Sequence, residues 1–177
     1  GDDSASDPVD LGFAFVFFGQ QYEEVWIGSN GVVTFDAEQA QSFFNDSLGS
    51  PAAPNGAIAT YFDDLNPSAG GTVRYELVGE APNREFVVEY EDVGFFRGEG
   101  LVTAQIVLRE SGGGELVCVS CPAGQSATQG IENADGTFAS IPDGRDDSDW
   151  GAEMEARAFN TSRPGGDDVG DACDVCP

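Results

Sequence analysis

The chain has 177 residues, of which 32 are Asp or Glu and 7 are basic; all seven are Arg, no Lys or His occurs, and the net charge is -25. That balance opposes a nucleic-acid partner or an anionic membrane surface and makes divalent cations natural partners. Without imidazole there is no Ser-His-Asp or Cys-His arrangement and no histidine-ligated metal, so the common nucleophilic and metal-dependent hydrolytic mechanisms are closed.

The first predicted strand, Leu11 to Phe18, alternates Leu11, Phe13, Phe15 and Phe17 with Gly12, Ala14, Val16 and Phe18, the period of two that a pleated strand requires. It is apolar on both faces, which fits a central covered strand or a surface buried by another copy of the chain. Glu24 to Gly28 and Val32 to Phe35 follow, joined by Ser29-Asn30-Gly31 as a tight hairpin, with Trp26 expected in the core. Asp36 to Phe44 reads as one short helix, Asp36 being its N-cap and Gln39 standing three residues on. Further strands are expected over Ala57–Phe62, Thr72–Val78, Glu85–Val93, Leu101–Glu110, Glu115–Ser120, Thr128–Glu132 and Glu153–Phe159, each rich in β-formers and bounded by Gly, Pro, Asn or Asp. About ten short strands with frequent turn signals predict an all-β fold, an antiparallel β-sandwich of jelly-roll or Greek-key type. Composition shifts after Phe159, dividing a sandwich domain at 1–159 from a linker and irregular Cys- and Asp-rich tail at 160–177.

Three acidic clusters offer hard oxygen donors, which suit Ca2+. The tail GDDVGDACDVCP carries Asp167, Asp171 and Asp174; Asp143-Gly144-Arg145-Asp146-Asp147-Ser148-Asp149 carries Asp143, Asp147 and Asp149; Asp63-Asp64-Leu65-Asn66-Pro67 carries Asp64. The alternatives are a solvated tail, an exposed loop with Arg145 as its local counter-ion, and a turn in which Asp64 and Asn66 bond the backbone. Cys118, Cys121, Cys173 and Cys176 form two C-x-x-C pairs 51 residues apart, too far for ordinary zinc-ribbon spacing. Disulfides fit better, either between the pairs, stapling the tail to the sandwich, or within each pair. Phe95, Phe96 and Arg97, between Gly94 and Gly100, make a candidate contact surface for a sugar or a neighbouring subunit, the alternative being that one Phe folds back to cap the sandwich edge.

Two resemblances add to this. The runs LGFAFVFFGQQYEEVWIGSNGVVTF, PNGAIATYFDDLNPSAGGTVRYELVG, NREFVVEYEDV and TQGIENADGT, covering about residues 9 to 140, resemble bacterial extracellular β-sandwich modules related to the nidogen NIDO domain. That likeness implies secretion and display and lends no catalytic activity. The last twelve residues are similar to the end of a thrombospondin type 3 repeat, which implies calcium on Asp167, Asp171 and Asp174 and a chain that continues as a calcium-binding stalk. The resulting expectation is a non-enzymatic extracellular or cell-surface module, binding divalent cations and serving in adhesion or as a subunit of an assembly, with itself or a surface glycan as further partner. A carbohydrate-binding accessory module of a secreted hydrolase is the alternative.

Overall fold

A computed structural model describes residues 2–45 and 47–161. Its strands are β1 (Val9–Phe17), β2 (Gln20–Ile27), β3 (Val32–Thr34), β4 (Ala57–Phe62), β5 (Thr72–Val78), β6 (Glu85–Gly94), β7 (Leu101–Arg109), β8 (Gly114–Cys121), β9 (Ser126–Glu132), β10 (Ala139–Ser140), β11 (Ser148–Asp149) and β12 (Ala152–Phe159). They form two antiparallel sheets. The first has the order β1-β2-β3-β4-β9-β10, with β11 also on β9; the second has the order β12-β8-β7-β6-β5. The chain thus lays down a meander, β1 to β4, crosses to lay down a second, β5 to β8, and returns so that β9 pairs with β4.

The expected alternation is carried through. Leu11, Phe13, Phe15 and Phe17 of β1 face Phe86, Val88, Tyr90, Ile106 and Leu108 of the second sheet in one buried cluster. Ala14 and Val16 point outward, and β1 is an edge strand, so its outer apolar residues are exposed rather than covered. β4 is buried at every position because its outer residues, Ala57, Ala59 and Phe62, make a second small cluster with Val32. The β3–β4 connection lies over that outer face. Ser42 accepts from Asn30 Nδ2 (3.1 Å), and Asn45 Nδ2 donates to the Ser126 carbonyl (2.6 Å).

The helix expected over Asp36–Phe44 is reduced to one 3-10 turn at Gln39–Gln41. Asp36 is not its N-cap: Glu38 holds that position without a side-chain cap, while the Asp36 carboxylate accepts from Glu38 N and its carbonyl from Gln39 and Ala40 in the turn just ahead. The backbone then extends at Ser42 because docking this segment on the sheet outweighs a weak helical preference. Trp26, expected in the core, is only partly buried; Val25 and Ile27 on either side fill the interior, and Trp26 looks onto the outer face beside Tyr22 and Phe35.

Cys118 and Cys121 are bonded to each other, with Cα atoms 5.6 Å apart. Three residues of regular strand would span about 10 Å. The strand therefore bulges: Ala104 of β7 pairs with Cys118 and Thr103 with Ser120, leaving Val119 extra. This is the within-pair alternative. Cross-pairing of these two cysteines to Cys173 and Cys176 is overturned by it, and those two residues lie outside the described ones.

Candidate functional site

The strand β6 runs from one end of the sandwich to the other, and most of the candidate residues gather at the end where it finishes. Three sequence motifs build that end. In the β2–β3 hairpin only Gly31 takes the left-handed conformation (φ 81°), as in a three-residue loop. A Cβ at Gly31 would collide with the Tyr61 carbonyl, so the loop can lie directly on β4 only with glycine there. Asn30 is fully buried by that approach. Its Oδ1 accepts from Leu65 N (2.9 Å), its carbonyl accepts from Asp63 N (3.3 Å), and its Nδ2 donates to Asp3 Oδ1 (3.2 Å). Ser29 secures the N-terminal segment as well: its Oγ accepts from Ser4 N (3.0 Å) and its N donates to the Ser4 carbonyl (2.8 Å). One hairpin therefore holds Asp2-Asp3 against Asp63-Asp64.

One carboxylate oxygen each from Asp2, Asp3 and Asp64 lies within 4.8 Å of the others. Asp2 Oδ1, Asp63 Oδ2 and Asp64 Oδ1 are buried without a hydrogen-bond partner. Burial raises the Asp63 carboxyl to about 6, offset in part by the Asp64 amide and increased by Asp64 and Asp147. Asp64 is raised too, by burial first and then by Asp3 and Asp2, with Arg97 opposing. Buried acceptors without donors are costly, and like charges held together more so. A cation relieves both. Oxygens around one calcium sit roughly 2.3–2.6 Å from it, and so at most about 5 Å from each other. The spacing of Asp2, Asp3 and Asp64 fits that limit, and the remaining oxygens of the shell would come from backbone or water.

The other predicted site residues are placed as follows. Asp147 accepts from Ser126 Oγ (2.9 Å) and Asp149 from Gly124 N (2.6 Å), so both tie their loop to the sheet, while Asp143 is exposed. Asp147 lies close enough to Asp63 to raise its pKa, so this loop borders the acidic end without joining the three-carboxylate group. Arg145, expected as a solvent-side counter-ion, points inward. It donates to Gln129 Oε1 (2.7 Å), pairs with Glu155 (2.6 Å) and lies 4.3 Å from the Trp150 ring centroid. Phe95 is the one that folds back: it leaves the contact surface, is 8% exposed and packs edge-on to Tyr61 at 6.1 Å. Phe96 is exposed, with the Arg97 guanidinium 5.4 Å from its ring centroid. Asn66 caps its own turn by accepting from Ser68 N (3.0 Å), as expected, whereas Asp64 does not. Asp167, Asp171 and Asp174 lie outside the described residues.

Glu132, within the late Gly-Ile-Glu-Asn motif, is a further acid not singled out in advance. It is 1% exposed; one oxygen accepts from Gly49 N, and the other has no partner. Burial raises its carboxyl to about 7, against the Gly49 and Ser50 amides that lower it and with Asp146 and Asp135 raising it further.

The chain belongs to the NIDO-related family, whose pattern matches residues 1–169. No curated protein and no solved structure matches it. Membership, together with the formed disulfide, accords with an extracellular module, and no helix among the described residues is long and apolar enough to cross a membrane.

Proposed function

We propose that this chain is a non-enzymatic extracellular module that binds calcium at its acidic end and serves in adhesion or as a subunit of an extracellular assembly. The observation that carries the proposal is the convergence of Asp2, Asp3 and Asp64 with buried oxygens that have no donor. Calcium suits these ligands because they are all hard carboxylate oxygens and the chain has no imidazole. Asp2 and Asp3 precede β1 and Asp64 follows β4, so an ion there clasps the N-terminal segment to the centre of the first sheet. The accessory carbohydrate-binding alternative keeps only Phe96 and Arg97 as exposed members of its contact surface.

Thermal unfolding in calcium, in magnesium and in chelator tests this. Ligand that binds only the native state adds about 2.7 kcal/mol at a hundredfold excess over Kd. Calcium is expected to raise Tm well beyond magnesium, and Asp64→Asn to remove that rise. Equal effects of the two metals, or none, would overturn calcium binding. A calcium rise surviving in Asp64→Asn would move the ion away from this end, toward Asp167, Asp171 and Asp174.

A further inference from the structure

We propose that the free edge of β5 is where two copies of this chain pair, antiparallel, about a two-fold axis through Tyr75. The surface gives the assembly role of the previous section a location, but the proposal stands on separate residues and needs no cation.

Exposed strand edges invite pairing, and proteins guard them with bulges, irregular backbone or very short strands. Among the described residues the other edges are guarded in this way. β1 loses its register with β2 between Asp10 and Phe15, with Gly12 at φ 76°. β12 is interrupted at Met154, whose φ is 50°. β10 and β11 have two residues each. β5 differs: it pairs with β6 through seven consecutive residues, Thr72↔Glu91 to Val78↔Glu85, without a shift, and nothing pairs with its other side.

The sequence of that edge is self-complementary. An antiparallel pair centred on Tyr75 sets residue 74 of each copy against 76 of the other, and 73 against 77. Arg74 then faces Glu76 twice, on the outer face, and Val73 faces Leu77 twice, on the inner face, with the two Tyr75 rings meeting at the axis. Opposite charges directly across a strand pair stabilise it and like charges oppose it. Centring on residue 74 or 76 would set Arg against Arg or Glu against Glu, and a shift of one residue would turn the apolar side chains to the wrong face. Of the registers centred within this stretch, the Tyr75 axis sets Arg against Glu twice inside the strand while keeping the apolar residues together. Such an interface is isologous, the commonest kind in homo-oligomers.

The inner face is left open as this pairing needs. Tyr75 stacks on Phe86 (5.6 Å between centroids) yet is 54% exposed, and Leu77, beside Gly12, is 43% exposed. Next to them an open groove of about 310 Å³, lined in part by Ile27, Ser29, Pro67, Val73 and Tyr75, leaves this side of the edge uncovered. Arg74 bridges Glu89 (2.7 Å) and Glu91 (2.9 Å) of β6 on the outer face, so pairing requires its guanidinium to turn toward, or be shared with, the Glu76 of a second copy, and Glu76 is exposed beside it.

Sedimentation of the full chain from micromolar to near-millimolar concentration, in chelator, is the test. Salt near about 0.15 M screens the net charge beyond roughly 8 Å while leaving contact pairs in force. A concentration-dependent dimer is expected. Glu76→Arg and Arg74→Glu should each weaken it about tenfold or more, and an equimolar mixture of the two should restore it, because every cross-strand pair is then opposite in sign. A wild-type chain that stays monomeric, single variants that associate as tightly as wild type, or a mixture no tighter than its components would overturn the proposal. Arg74→Glu places a carboxylate beside Glu89 and Glu91, so each variant is checked by thermal melting; should it not fold, weakening by Glu76→Arg alone decides the matter. Because no metal is present, failure here leaves the calcium reading standing, and the reverse also holds.

Discussion

The two ends of the sandwich carry the same kind of charge and treat it in opposite ways. At the end where β6 begins, acids are matched. Arg84 donates to both oxygens of Glu110 (2.9 and 2.6 Å) and to the Gly12 carbonyl, with Phe13 under its guanidinium, and Arg109 bridges Glu85 and Glu115, each at 2.9 Å. At the end where β6 finishes, Asp2, Asp3, Asp63 and Asp64 lie together, with Arg97 the arginine that opposes them. Five of the six described arginines are in ion pairs, and every partner is a glutamate. The longer Glu side chain reaches across a strand to Arg, whereas the short Asp closes onto nearby backbone or, as at Asp2, Asp63 and Asp64, keeps a buried oxygen without a donor. Net charge alone describes neither end: at one, arginine is matched to glutamate, and at the other, four aspartates are brought together with their buried oxygens unmatched.

The largest effect is expected from the apolar packing beneath the acidic end, where Phe95 lies against Tyr61. Phe95→Ala should cost about 3–5 kcal/mol, as truncation of a core aromatic does, while Phe96→Ala should stay within about 0.5 kcal/mol; urea unfolding of both reads the contrast, and equal small losses would return Phe95 to the surface. Next comes Arg145→Ala, which strands the buried Gln129 amide and breaks the Glu155 pair. It should lose about 3 kcal/mol, whereas an exposed counter-ion would lose less than about 1 kcal/mol.

The acids should also differ in their pH response. Glu132 has a folded pKa raised from 4.5 to about 7. The stability it contributes is therefore fully present below about 4.5 and lost as pH rises through about 7, to a limit of roughly 3 kcal/mol. Wild type minus Glu132→Gln, followed by chemical unfolding across that window, should show this fall; a flat difference would mean that the Gly49–Ser50 segment does not desolvate the carboxyl. The smallest effect sharpens the comparison most. Asp64→Asn without calcium should raise stability by on the order of 0.5 kcal/mol, by relieving repulsion from Asp2 and Asp3. At the other end, Glu110→Gln should lower it. If both changes act in the same direction, the two ends do not differ as described.

Much of the fold was legible because period-two alternation is a local property. Leu11 to Phe17 announced which residues face inward, and Ser29-Asn30-Gly31 announced a hairpin. The Asp36–Phe44 segment misled because its conformation is set by what it lies on, the outer face of β4, which no local pattern reports. Asp64 was legible as a candidate, but Asp2 and Asp3 were not: they sit some 60 residues away, and the docking of Ser4 on Ser29 and of Asp3 on Asn30 brings them close. Arg145 misled for the same reason, since its neighbours in sequence are acids and its neighbours in space are Gln129, Trp150 and Glu155.

The return of the chain to pair β9 with β4 also fixes an order of events. The β5–β8 meander consists of neighbouring hairpins, each closed by a short turn, and can form from local contacts. The first sheet cannot be completed in that way, because Ile58 meets Ile131 only after everything between them has been traversed. Loop closure of that length must be met before its contacts repay it, which places folding among the slower, β-rich domains at milliseconds to seconds. Until β9 arrives, β4 presents an open apolar edge. The interval before that closure is the time during which a newly made chain is most exposed to aggregation.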